Sequence, residues 1–526
     1  MAGKLFCRHG AFLPQPALLI AGEPAPAKPA NMKKFFFYNF SGRNLPDYSR
    51  KDFDTMHVVN GMIKQTGFQM SFPDDGSIGV DLGGATVFSA FADAHVHFTQ
   101  TGITLLGCRL ENAVSLNEIF DMVRAEAAGH EYVLGWNMQE TRLKEKRLPT
   151  SEELDRINSK AFIWLARADL HSAVVNSRAL QWARSRFPSV TAINGLISGE
   201  AYNFLSYELN ALLPKAMKRQ ALELAAQECY RRGVGTVHAL EGCAASESET
   251  LAAADFFNSS PLHGVIYHQS PDPALPKRMK WNRMGGCLLV DGSIGTRTAS
   301  LHEPYSDADT SGSQYLKAED IEKILTGAAQ NRLQLALHAI GDRAIDTVTS
   351  CYAWATEKFG RQPLTHRIEH FILPTDKAIM AARDNGIMVC IQPVFDHFWG
   401  GQNGLYAQRL GKERAARCNP FKTMLDLGIP LAAGSDSPVT PIDPLLGIHA
   451  LVNHSSPEER IDLNSALSLN IAEPHKFTGE GSARGHLKPA RPADFVCLAD
   501  DPFLTPPSRI KDIRVNGLYL NGEKVF

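Results

Sequence analysis

Short apolar runs recur through the middle of the chain: Thr86–Ala92, Phe162–Ala166, Gly235–Leu240, Gly264–His268, Cys287–Val290, Leu333–Leu337, Arg367–His370, Met388–Ile391 and Pro430–Ala433. Between them lie stretches such as Glu319–Asn331 and Arg343–Lys358, where apolar residues return at helical spacing. That alternation predicts βα units around a parallel sheet, an α/β chain whose strands fit a (β/α)8 TIM barrel over residues 91–479. An open doubly wound sheet would alternate similarly, but no Gly-x-Gly-x-x-Gly turn or Walker loop accompanies the pattern. The segment at about 101–227 is long for one βα step and predicts an inserted region. Both ends read differently. Phe35–Tyr38, Met56–Val59 and Asp494–Leu498 are strand-like, and Asn60-Gly61, Asn516-Gly517 and Asn521-Gly522 predict tight turns. A small composite β-sandwich from residues 32–90 and 480–526 follows.

Composition narrows the classes. The chain has 526 residues, 44% hydrophobic and 21% charged, an ordinary globular balance with length enough for a sizeable core. Fifty-four basic against 56 acidic residues leave a formal charge of −2, which argues against a nucleic-acid or anionic-membrane partner and for a small-molecule substrate. No uninterrupted apolar run approaches the roughly 18 residues of a membrane-spanning helix. The nine cysteines form no CxxC pair or disulfide framework and suit a reducing, cytoplasmic location. Residues 1–31, where Pro14 and Pro16 interrupt an apolar run behind Lys4 and Arg8, read as a disordered leader rather than a signal peptide. Homo-oligomer formation is left open.

Eighteen histidines make placement the chemical question. In His95-Val96-His97, residues two apart on an extended chain project to one face, giving a two-imidazole platform at a strand end. His338, His370 and Asp436 each stand at the end of a different predicted strand, where barrel sites assemble. Imidazoles and one carboxylate suit Zn2+ better than Ca2+.

The segments Phe91-Ala92-Asp93-Ala94-His95-Val96-His97-Phe98, Leu337-His338-Ala339-Ile340-Gly341-Asp342-Arg343-Ala344, Arg367-Ile368-Glu369-His370 and Gly434-Ser435-Asp436-Ser437-Pro438 resemble signatures of the amidohydrolase superfamily, in its family 3 branch, which includes N-substituted formamide deformylase. Gly135-Trp136, Asp169-Leu170-His171 with Asn176-Ser177, Asp291-Gly292-Ser293-Ile294-Gly295-Thr296-Arg297 and Pro492-Ala493-Asp494-Phe495-Val496 follow in the family's order. The resemblance implies a metal-bearing barrel with a β-sandwich from both chain ends. It also implies a metal-dependent hydrolase of a C–N amide-type bond (N-acyl, N-formyl or cyclic), in which a metal-bound hydroxide attacks and Asp436 is the general base. Where many relatives carry a metal-bridging lysine, this chain has Cys287. The reading favours one tightly held zinc, with Cys287 as a bridging or second ligand if two are present.

Trp136, Asp169, His171, Arg297, Gln392 and Trp399 are candidate substrate contacts, with Asn176, Asp396 and His397 nearby in the same segments. Asp342 reads as the N-cap of a helix beginning at Arg343, and His238 and Glu241 as partners that orient ligand imidazoles. Two alternatives stand beside the hydrolase: a deaminase of a heterocyclic or aminated small molecule, and a catalytically inactive metal-binding or regulatory protein.

Overall fold

A computed structural model describes residues 32–526 except 168–171 and 245, so the expected leader lies outside the described residues. The two chain ends meet in one seven-stranded sheet. Its order is Glu523–Lys524, Val515–Leu520, Phe495–Leu498, Ile78–Ser89, Lys34–Gly42, Thr55–Val59, Met62–Gly67. The strands hydrogen-bond in one continuous order: Val496 opposes Phe88, and Phe37 pairs in parallel with Val80. An aromatic cluster binds the two ends, with Phe495 stacked on Tyr519 at 4.6 Å and edge-on to Phe37 at 5.0 Å. Asn60-Gly61 makes the predicted turn, with φ of 50° and 78°. Asn516-Gly517 does not. It lies inside Val515–Leu520, where Gly517 faces Cys497 beside a register shift, because Asn-Gly in a strand can mark a bulge as well as a turn.

The inserted region folds as its own five-stranded sheet, ordered Leu196–Ser198, Ser172–Val175, Phe162–Arg167, Tyr132–Met138, Cys108–Arg109. Phe162–Ala166, expected among the central strands, belongs here. Its uninterrupted apolar run shows only that both faces are covered, not by which sheet.

Eight parallel strands form the centre in two arcs. One holds Phe91–Val96, Val234–Glu241 and His263–His268. The other holds Arg283–Leu289, Gln334–Ala339, Arg367–His370, Met388–Ile391 and Leu431–Ala433. The expected strand Thr86–Ala92 is split at Ala90: the chain leaves the terminal sheet there and enters the first arc, Ala90 N donating to Asp494 O and Phe91 N to Gly233 O. Amphipathic helices cover the strands. In Ala318–Gln330, Ile321, Ile324, Leu325 and Ala328 turn inward at the spacing that one helix face requires.

At one edge the arcs touch through backbone: Asp436 N donates to His95 O at 2.8 Å and His97 N to Ser437 O at 3.0 Å. Gly434 permits this approach, since a Cβ there would stand 2.5 Å from His95 N. Asp93 clamps the same seam, its Oδ1 accepting from His95 N and Ser435 N.

Candidate metal centre

The strand ends at that seam carry the imidazoles. His95 lies in Phe91–Val96 and His97 one residue beyond it, and both reach Asp436, their Nε2 atoms 3.0 and 3.2 Å from its Oδ1. The predicted shared face is therefore present. His338 and His370 sit within their strands, with ring centroids 4.4 Å apart, and His95 and His370 are 5.1 Å apart. Cys287 joins them: its Sγ is 3.5 Å from His338 Nδ1 and 3.7 Å from His370 Nε2. Two trios, His95–His97–Asp436 and His95–Cys287–His370, each bring three ligand atoms within 4.8 Å of one another.

Backbone conformation helps. His370 has φ of 74° and Asp436 of 56°, left-handed values rare for residues with a Cβ and costing roughly 1–3 kcal/mol each. Successive strand residues normally face opposite ways, yet Glu369 and His370 both contact His95; the unusual φ at His370 reconciles them.

Each buried imidazole is oriented through its other nitrogen. Glu369 Oε2 takes His95 Nδ1 at 2.7 Å, Gln392 Oε1 takes His370 Nδ1 at 2.7 Å, and Gly292 O lies 3.2 Å from His338 Nε2. Phe395 stacks over His370 at 5.9 Å and closes one wall.

Burial disfavours charge here, but the groups offset it mutually. It lowers the His95 imidazole, and Asp436 more than compensates, holding it well above its ordinary value. His97 rises to about 10 against burial, through Asp436 and then Cys287. His338 rises to about 9, driven by Cys287. Burial opposes ionisation of Cys287 and Asp436 in turn, yet His338 holds the thiol, and His95 the carboxyl, well below their usual ranges.

The donor set fits a divalent cation. His95 Nε2 and Asp436 Oδ1 are both buried and 3.0 Å apart, an ion pair when the ring is protonated, without a well-aligned hydrogen bond between them. With the ring neutral both atoms are acceptors facing one another, a costly arrangement that a divalent cation relieves. Ligands at ~2.0–2.3 Å around tetrahedral zinc stand about 3.3–3.6 Å from one another, close to the separations measured here.

The other sequence candidates divide. Gln392 reaches the centre by orienting His370. Trp399 is half-buried against Phe395 at 4.7 Å. Trp136 is buried in the inserted region's core, its indole donating to Leu106 O at 3.2 Å. Asp169 and His171 lie outside the described residues. Arg297 pairs with Asp307 through two bonds of 2.9 and 2.8 Å, while Asp291 is taken by the backbone N–H groups of Ser300, Ile340 and Gly341. Asp342 is the first helical residue rather than the N-cap, which is Gly341, and it accepts from His302 N. Asn176 caps Ser177–Arg186, Asp396 holds Ser455, and His397 is exposed beside His449. Glu241 accepts from Thr99 N, and burial followed by the nearby Glu249 raises its carboxyl to about 8. His238 faces Arg367.

The sequence reading assigned no role to Asp93, Arg367 or Glu369. Two opposite charges two residues apart on a short, buried strand are a usable signal, because buried charges are nearly always paired.

A family model described as Amidohydrolase family matches residues 79–526. YtcJ of Bacillus subtilis (strain 168) is 26% identical over 519 residues, spanning 90% of this chain and 96% of its own. N-substituted formamide deformylase of Arthrobacter pascens is 22% identical over 488 residues, 84% of this chain and 89% of its own. The crystal structure of an uncharacterized metal-dependent hydrolase from Pyrococcus furiosus shares the fold, with a TM-score of 0.75 at 24% identity over 89% of this chain and 99% of that one. With its length so widely matched, the chain belongs to the amidohydrolase family, in the family 3 branch its motifs resemble.

Proposed function

We propose that this protein is a metal-dependent hydrolase of a small molecule, cleaving a C–N amide-type bond: an N-acyl, N-formyl or cyclic amide. The observation that carries the reading is the buried pair His95 Nε2 and Asp436 Oδ1, 3.0 Å apart without a well-aligned hydrogen bond, with His97, His338, His370 and Cys287 gathered around it. Similarity to N-substituted formamide deformylase supports the bond class. We read the two arcs as one closed (β/α)8 TIM barrel over 91–479, because Asp436, His97 and Arg367 bond from one arc to the other. Residues 32–90 and 480–526 form the second unit, and about 101–227 the insertion. Eight free cysteines among the described residues support a cytoplasmic location, and no helix among them is long and apolar enough to cross a membrane.

In this reading His95, His97 and Asp436, with His338 and His370 beside them, would hold one divalent ion, Zn2+ by donor type, and Cys287 would be a bridging or second ligand if two are bound. A divalent ion there supplies Lewis acidity that polarises a carbonyl and acidifies water. Asp436, through the carboxylate oxygen not engaged with the ion, would accept the proton of the attacking water and return it to the leaving nitrogen. Gln392 and Phe395 fix His370 while this happens.

Metal analysis of purified protein together with an amide panel tests the proposal. Acid or formate release with one zinc equivalent per chain is the expected result, and two equivalents falling to one in Cys287→Ser would overturn the single-metal reading. One equivalent in both proteins leaves Cys287 as a neighbour of the ion rather than its ligand. Ammonia without acid replaces the reading with deamination, and metal-replete protein inert to amides, esters, lactones and deaminase substrates overturns catalysis.

A further inference from the structure

Arg367 has no exposed surface, and its guanidinium is spent entirely inside the protein. Nε and Nη2 both donate to Glu369, the latter at 2.7 Å to Oε2. Nη2 also donates to Ala94 O at 2.8 Å, and Nη1 lies 3.1 Å from His238 Nδ1 and 3.3 Å from Tyr267 Oη. Ala94, His238 and Tyr267 belong to the three-stranded arc, whereas Arg367 and Glu369 belong to the five-stranded one. The guanidinium thus spans the interior between the arcs, over the Tyr267 ring at 4.8 Å.

The same carboxylate oxygen that receives Nη2 also receives His95 Nδ1 at 2.7 Å. A carboxylate can only accept, so His95 must place a proton on Nδ1. In the neutral ring, the form that ligates a metal, Nε2 pointing at Asp436 is then the nitrogen left with the lone pair. Without that constraint the neutral ring could carry its proton on Nε2, where it would bond to Asp436 and occupy the position a ligand atom needs.

We propose that Arg367 and Glu369 are positioning residues: their buried ion pair fixes the tautomer and orientation of His95, and thereby sets the affinity of the metal site. This rests on the metal-site reading above, and it assigns both residues a role that contacts neither substrate nor metal. Arg367 holds the carboxylate in its plane with a two-bond fork, a geometry lysine cannot reproduce. Glu369 in turn passes its charge to the imidazole, making Nε2 the stronger donor.

Glu369→Asp is the decisive variant. It keeps a negative charge opposite Arg367 but withdraws the oxygen shared with His95 by one methylene. Chelator competition on folded, zinc-loaded protein should show affinity weakened by roughly 10–100-fold, with Tm of the metal-free protein little changed. Glu369→Gln, which retains an acceptor but no charge, should fall between Glu369→Asp and wild type. If the aspartate variant folds and holds zinc as tightly as wild type, the pair is only structural and the proposal fails. Should both variants fail to fold, the wild-type protein loaded with Co2+ still decides. Its proton NMR spectrum should contain a hyperfine-shifted, slowly exchanging N–H from His95, missing from a His95→Ala control, and its absence overturns the proposal. Protein that binds neither zinc nor cobalt would instead refute the metal-site reading itself.

Discussion

Two groups of histidines lie at opposite ends of the parallel strands, and they behave oppositely. His95, His97 and His338 stand where the strands finish, facing Asp436 and the Cys287 thiolate, which outweigh burial and hold the imidazoles protonated in the metal-free chain. His366 and His475 stand near where strands begin. Burial alone drops His366 to about 4, and burial followed by Arg484 and His263 drops His475 to about 3. The first group has anions for neighbours and convergent nitrogens. The second has cations or apolar walls, and its nitrogens serve the fold: His366 Nδ1 accepts from Leu335 N at 3.0 Å. Residue type is the same in both, so function is decided by which charge lies opposite each ring.

The largest test of that contrast removes the anion of the first group. Asp436→Asn keeps the shape but can neither balance His95 and His97 nor take a proton. Turnover should fall by about 10²–10⁴-fold while Cys287, His338 and His370 continue to retain metal. Substantial activity with metal still bound would show that Asp436 is only a ligand.

The convergence of the first group was legible in the sequence. His95, His97, His338, His370 and Asp436 each sit within or just after an apolar run, and strand ends in parallel α/β sheets are where sites gather. What was not legible depends on which sheet a strand joins and on backbone conformation. Phe162–Ala166 carries the same apolar signature as a central strand yet belongs to the inserted sheet. Arg297, expected among the substrate contacts, pairs with Asp307 once the loop folds back. The role of Glu369 depends on the left-handed turn at His370, and no local propensity announces such a turn at a histidine.

The second test uses pH, where the two groups should have opposite signs. His97 and His338, raised to about 10 and 9, contribute stability to metal-free protein that is complete below pH 6.5 and is lost as pH rises through those values. Metal binding at pH 7 should accordingly release protons, up to about three per chain with His95 counted, read from calorimetry in buffers of different ionisation enthalpy. His366 is lowered, so its contribution is complete above pH 6.5 and disappears as pH falls through about 4. His366→Gln, which can still accept from Leu335 N, should remove about 3 kcal/mol of that acid-side loss in urea unfolding of metal-free protein. Unchanged acid sensitivity would mean the ring is already charged when folded.

The smallest effect concerns Trp136, which separates packing from chemistry as the two histidine groups do. Its ring lies in the inserted region's core, and its single polar atom donates to Leu106 O at 3.2 Å. Trp136→Phe retains most of the apolar ring but leaves that carbonyl without a donor, so stability should fall by about 1 kcal/mol while kcat and KM for the best amide stay at wild-type values. A KM that rises with stability unchanged would move Trp136 from the core to the substrate, and the inserted sheet would then be a wall of the site.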